Sequence, residues 1–194
     1  MGAKEEIVKS FKELITNVGV PYEKVAVYQI CDHAKVSRKT FYVHFKSKAD
    51  IVDWIVRTEI LDSLFQMSSV TKSFIESKAM VDTMPLVQNE MVYKALYADK
   101  DFYSRLCCRA GTIDSPLVTA LTNNIIKLNS SVLDAVGYDG PSWKREYVSY
   151  YYAAGHAVLI QRWIKNGFKE SPEQVAALYN TMSTPFWRDL AKVD

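Results

Sequence analysis

The stretch Val25-Ala-Val-Tyr-Gln-Ile-Cys-Asp-His-Ala-Lys-Val-Ser-Arg-Lys-Thr-Phe-Tyr-Val-His-Phe-Lys-Ser-Lys48 decides how the rest of the sequence is read. Val27, Ile30, Cys31 and Ala34 recur at helical spacing and mark one apolar side of a short helix that ends near Lys35 and Val36. Ser37 can accept a hydrogen bond from a free amide one turn on, so it opens a second helix carrying Arg38 to Phe45. Phe41 and Phe45, four apart, share one side of that helix and are expected to lock it to a core. That leaves Arg38, Lys39, Thr40, Tyr42, Val43 and His44 facing outward. Two short helices joined by a tight turn can lay the second across the major groove of DNA, which is wide enough to admit an α-helix. In that pose Arg38 and Lys39 can donate to guanine acceptors or to phosphate. Thr40, Tyr42 and the start of a further helix at Ser47 offer neutral donors to phosphate, and Lys48 adds a charge there.

The distribution of charge agrees. The chain of 194 residues has a net charge of only +2, yet its first sixty residues hold ten Lys or Arg against eight Asp or Glu and the remainder is balanced. Between positions 24 and 48, Lys24, Lys35, Arg38, Lys39, Lys46 and Lys48 face Asp32 alone. A basic stretch on an otherwise neutral chain suggests a polyanion contact.

On either side of this stretch the helical pattern continues. Upstream, Ile7, Phe11, Leu14, Ile15 and Val18 fall at helical spacing, and Gly19 with Pro21 closes that helix. Downstream, Ser47 with Asp50 three residues later resembles a capping box, and Ile51, Trp54, Ile55 and Leu61 continue a fourth helix. Beyond Ser69 there are no alternating Val/Ile/Thr runs of the kind that build sheets. Helix starts are legible at Ser115-Pro116, Gly140-Pro141-Ser142 and Ser171-Pro172, with Gly137 and Gly167 as stops. The expected fold is all-α, with a three-helix helix-turn-helix head over residues 1–48 and a helical bundle for regulation and dimerisation over 49–194.

Tyr147 to Gln161 carries no charge and is apolar on nearly every face, but is too short to cross a bilayer. Such a helix needs protein on all sides. One face can use its own core and the other a second copy of the chain, which makes Tyr147, Tyr151, Gly155, Leu159, Trp163 and Leu178 the expected dimer interface.

Several function classes have nothing to stand on. There is no signal segment or membrane span, so the expected location is the cytoplasm and no membrane partner is foreseen. Cys31, Cys107 and Cys108 are an odd count with two adjacent; they frame neither disulfides nor a zinc site and read as small buried hydrophobes. No Gly-rich phosphate loop, HExxH or GxSxG occurs, and His33, His44 and His156 are far apart. No catalytic residue, metal ligand or cofactor is therefore expected.

The pattern Val-Ser-x-x-Thr-Phe-Tyr-x-His-Phe-x-x-Lys, matched by Val36, Ser37, Thr40, Phe41, Tyr42, His44, Phe45 and Lys48, resembles the TetR family of transcriptional regulators. The resemblance implies a homodimer on a roughly palindromic double-stranded operator. A small-molecule effector or a protein co-regulator at the C-terminal domain would alter its affinity. It also implies that Thr40, Tyr42 and Lys48 hold phosphates and that Arg38, Lys39 and His44 meet bases, with Lys35 and Ser37 completing the DNA-contacting set. Tyr151 to Gly167, followed by Ser171-Pro-Glu-Gln, resembles the branch that includes activators of dihydroxyacetone kinase operons, some of which answer to a partner protein. For an effector pocket the residue types nominate Met84, Tyr93, Tyr97, Phe102, Tyr103, Cys107 and His156, aromatic or soft apolar surfaces with a few polar tips.

Two departures stand out. Ala26 occupies a position where the family usually has a capping Ser or Thr, and Lys35 one where it usually has Gly. They motivate an alternative, a helical protein-interaction adaptor with weak or no specific DNA binding.

Overall fold

The computed structural model describes residues 2–62, 64, 89–107, 115–135 and 138–191, excepting the side chains of 132, 135 and 184–191. Among these there is no strand, and no helix is long and apolar enough to cross a membrane.

Helix α1 spans Ala3–Thr16 and buries Ile7, Val8, Phe11, Leu14 and Ile15. Gly19, at φ 77°, turns the chain back, a conformation that costs glycine nothing. Pro21 opens a 3₁₀ turn over Tyr22–Lys24, from which the chain enters α2 (Val27–Ala34). Helix α3 (Arg38–His44) begins at Ser37, whose Oγ accepts from the Thr40 amide at 3.0 Å. Helix α4 (Lys48–Ile55) begins at Ser47, and Asp50 reaches back to accept from the Lys46 amide at 2.7 Å. These two caps satisfy amides that would otherwise have no partner, each worth about 1 kcal/mol.

The sequence pattern carries α4 on as a regular helix towards Leu61, but the structure loosens it at Val56–Ile60 into one π turn, closed by Leu61 N–H on the Val56 carbonyl at 3.0 Å. The wider turn keeps Val56, Ile60 and Leu61 buried while Arg57, Thr58 and Glu59 face outward. Single π turns inside α-helices are frequent at functional sites.

Among the described residues the body comprises α5 (89–98), α6 (Lys100–Leu106), α7 (Pro116–Ala135), α8 (Ser142–Lys165) and α9 (Pro172–Ala191). Pro116 and Pro172 are first helical residues and Pro141 immediately precedes one, positions where the missing amide costs nothing. Helices α7 and α8 form the most extensive pair, with α4 packed against α7 and α1 against α6. One apolar core runs without a break from Ile7, Phe11, Ile30 and Phe41 through Ile51 and Ile55 of α4 to Leu96, Leu121, Ala153 and Ile160. Each fully buried Ile, Leu or Phe in it contributes about 1.5–3 kcal/mol by leaving water.

Burial on α8 is one-sided within the chain. Ser149, Ala153, His156, Ala157 and Ile160 face the core, while Tyr147, Tyr150 and Tyr151 are exposed at 71%, 60% and 72%. Trp163 departs from the expected interface set: it is 2% exposed, edge-on to Phe168 at 4.6 Å, and donates from Nε1 to the Glu170 carbonyl at 2.9 Å. It belongs to the chain's own core, because a fused ring with one satisfied donor packs well at a helix end.

Candidate nucleic-acid interface

The head fixes α3 from behind and leaves its front free. Phe41 is fully buried, lies 6.1 Å from Phe45 between ring centroids, and is met edge-on by Tyr42 at 5.4 Å. On the opposite side Arg38, Lys39, Tyr42, Val43 and His44 are exposed, Val43 at 73%. Thr40 is half-buried and its hydroxyl pairs with that of Ser37 at 2.8 Å. The turn before α3 is made by Lys35 in the left-handed region, φ 55° and ψ 37°. Its amide and that of Val36 both close on the Cys31 carbonyl, the latter at 3.0 Å, which ends α2. A side chain at this φ costs about 1 kcal/mol relative to glycine. The strain leaves Lys35 exposed beside α3.

Ala26 cannot cap α2, but its own amide donates to Gln29 Oε1 at 2.8 Å, so half of a capping arrangement survives. Lys24, Lys35, Arg38, Lys39 and Lys46 are exposed, and none forms an ion pair among the described residues. Lys24 and Lys46, visible in the charge count but not assigned to DNA from the sequence, are therefore exposed cations on either side of α2 and α3 in the chain. Tyr28 is also exposed, at 57% on α2, where no spacing rule singles it out.

Lys48 does not stand with these cations. Its ammonium donates to the carbonyls of Tyr22 at 2.7 Å, Glu23 at 3.0 Å and Val25 at 2.9 Å, and lies over the Tyr22 ring at 4.6 Å. Burial lowers its pKa from the ordinary lysine value, and the charge of Glu23 opposes that only in part.

In the body the pocket nominees separate into two groups, and Met84 lies outside the described residues. Tyr93 and His156 meet in the core, ring centroids 5.6 Å apart, with His156 stacked on Tyr179 at 3.7 Å and Tyr93 edge-on to Trp163 at 5.4 Å. Tyr97 stacks on the outer side of Trp163 at 6.3 Å. Tyr93 Oη, His156 Nε2 and Asn180 Nδ2 are buried and make no hydrogen bond among the described residues. Burial pushes the His156 pKa down to about 3, so its imidazole is neutral, and pushes the Tyr93 phenol upward. Phe102, Tyr103 and Cys107, by contrast, sit on or just after α6, and Phe102 turns towards the head, edge-on to Phe11 at 6.2 Å and 5.0 Å beneath the Lys12 ammonium. No group of three or more metal-ligating side chains occurs among the described residues.

An all-helical chain with two short helices, a tight turn and exposed cations that form no ion pair among the described residues has the build of a helix-turn-helix regulator. Residues 18–55 match a family model described as bacterial regulatory proteins, tetR family, and residues 89–185 match one described as transcriptional regulator C-terminal region. The chain belongs to the TetR family of transcriptional regulators. Among solved structures, the dihydroxyacetone kinase operon activator DhaS is similar over 97% of this chain and 97% of its own, with 16% identity and a TM-score of 0.58. A TetR-family transcriptional regulator from Syntrophomonas wolfei str. Goettingen is similar over 98% and 95%, with 14% identity and a TM-score of 0.58. At these identities the likeness is one of fold. No curated protein sequence matches the chain.

Proposed function

We propose that the chain is a homodimeric regulator that binds a roughly palindromic operator through α3, with an affinity altered by an effector or partner acting on residues 49–194. The observation that carries this reading is the front of α3: a helix anchored by Phe41 and Phe45, with Arg38 and Lys39 exposed and unpaired at its start. The start of a reading helix is the part that reaches base edges. Arg38 and Lys39 then read bases with His44 beside them, while Lys35, Ser37, Thr40 and Tyr42 hold the backbone. The second copy would cover the exposed aromatic stripe of α8 at Tyr147 and Tyr151, with Gly155, Leu159 of α8 and Leu178 of α9 alongside. Tyr93 and His156, with their unpaired polar atoms, are the best-supported part of an effector site. A protein of this kind works in the cytoplasm.

The test is selection of duplexes from a randomised pool by the full-length chain, followed by affinity measurements across a salt series. A specific duplex should emerge, and Arg38→Ala should relax the preference by about 1–3 kcal/mol at one base position per half-site. Specific binding that survives loss of both Arg38 and Lys39 would reject α3 as the reading helix. Absence of any selected duplex would favour the protein-interaction adaptor.

A further inference from the structure

The family resemblance gives Lys48 a phosphate, but the geometry points to a different task. We propose that Lys48 is a positioning residue that sets the spacing between the starts of α2 and α4, and that backbone charge neutralisation falls instead to Lys24 and Lys46. The proposal rests on the DNA-binding reading given above.

An ammonium has three N–H donors, and in Lys48 each has a carbonyl, those of Tyr22, Glu23 and Val25 at 2.7, 3.0 and 2.9 Å. The Tyr22 ring closes one side at 4.6 Å. No donor is left for a phosphate unless the tripod breaks. Lys48 is also the first residue of α4, where the helix dipole disfavours a cation, and the converging carbonyl oxygens offset that penalty.

The clamp joins particular places. Residues 22–25 lead directly into Ala26, the start of α2, which has no side-chain cap of its own. Ser47, the start of α4, is adjacent to Lys48 in sequence. The reading helix α3 lies between these two starts along the chain, so one ammonium fixes the frame in which α3 is presented. Lys24 lies within the clamped turn and Lys46 two residues before Lys48, both exposed and without an ion pair among the described residues.

The experiment compares Lys48→Met with Lys46→Met in the full-length chain, on a duplex selected by the wild type and at a temperature where circular dichroism shows each variant folded. Lys46→Met should lower the slope of log affinity against log salt by about 0.9 per protomer, the signature of one lost phosphate contact. Lys48→Met should keep the wild-type slope and the wild-type sequence preference while weakening binding about tenfold at every salt concentration. It should also lower the melting temperature with no DNA present. A slope that falls with Lys48→Met as it does with Lys46→Met would overturn the proposal, because the ammonium would then have left its carbonyls for the backbone. Unchanged affinity with a lowered melting temperature would reduce Lys48 to scaffold and reject the positioning role. An unchanged melting temperature would reject the clamp itself, and that arm decides even if the wild type selects no duplex, a result that would count against the regulator reading.

Discussion

Lys12 of α1 and Asp99, the residue before α6, are joined nitrogen to oxygen at 2.6 Å, and Glu59 of the π turn takes the same ammonium at 2.8 Å. Three elements meet on this nitrogen: the first helix of the head, the end of the connector and the entry to the body. Burial alone would lower the Lys12 pKa, but hydrogen bonds and charges from Asp99 and Glu59 outweigh it and hold the pKa above the ordinary 10.5. The side chain is 22% exposed, which places the cluster between a surface pair and a buried one. Lys12→Met should therefore destabilise the chain by about 1–3 kcal/mol, read as a lower denaturant midpoint at unchanged slope. The sign with pH follows from the raised pKa. The contribution is complete below 10.5 and is lost as pH rises through the folded value, so wild type and variant should converge in strong alkali.

His156 has the opposite sense. Its folded pKa of about 3 lies below the unfolded 6.5, so between these values the unfolded chain binds a proton that the folded chain refuses. Stability should be flat in this residue above pH 6.5 and fall below it by about 1.4 kcal/mol per pH unit, or about 2 kcal/mol at pH 5. Denaturation at pH 7 and pH 5 measures it. His156→Phe should abolish that part of the loss, and a variant as acid-sensitive as wild type would show that the imidazole is not withheld from protons.

Tyr93 offers a ligand-free check on the polar cluster beside it. Its hydroxyl is buried without a partner among the described residues, so Tyr93→Phe removes an unmet desolvation cost and keeps the ring contacts. The melting temperature should stay level or rise, corresponding to about 0–1 kcal/mol. A clear drop would mean that the hydroxyl is satisfied and that the cluster is ordinary core.

At Lys35 stability and binding should move in opposite directions. Lys35→Gly relieves the strain at φ 55° and should stabilise the head by about 0.5–1 kcal/mol. The same change removes one exposed cation from the turn before α3, so on the proposed reading binding should weaken and its salt slope fall by about 0.9 per protomer. A tighter-binding glycine variant would take Lys35 off the DNA.

For the dimer, sedimentation of the wild type should give two chains. Tyr151→Asp places a charge on a residue 72% exposed in one chain, so it should shift the species to monomer while leaving helical content unchanged. Loss of helix together with the dimer would instead mean that the protomer does not fold alone.

The head was legible in the sequence because its determinants are local. Ser37 and Ser47 are caps that act within one turn, Phe41 and Phe45 are four apart, and the basic residues are contiguous enough to count. The carbonyl contacts of Lys48 are not legible in the sequence, because they belong to residues more than twenty positions earlier and the sequence carries no sign of where a backbone oxygen points. Trp163 was misplaced for a related reason: its donor is met by Glu170 across the Gly167 turn, a contact set by loop geometry rather than helix period. The pocket nominees were chosen by residue type, and type does not distinguish Phe102, which faces the head, from Tyr93, which faces His156. The π turn left no trace in the apolar pattern, because Val56 and Ile60 are four apart and would share a face in a regular helix too.

The unbroken core that passes through Ile51 and Ile55 limits how far this protein can be treated as interchangeable parts. A cut after residue 48 would expose Phe11, Phe41 and Phe45 on one piece and the head-facing side of α4 on the other. Chimeras that graft this head onto a different sensor would need to carry α4 and its match on α7 as a unit. Recombination that shuffles reading heads among regulators of this build should accordingly avoid crossovers between α4 and α7 unless both sides of that contact match.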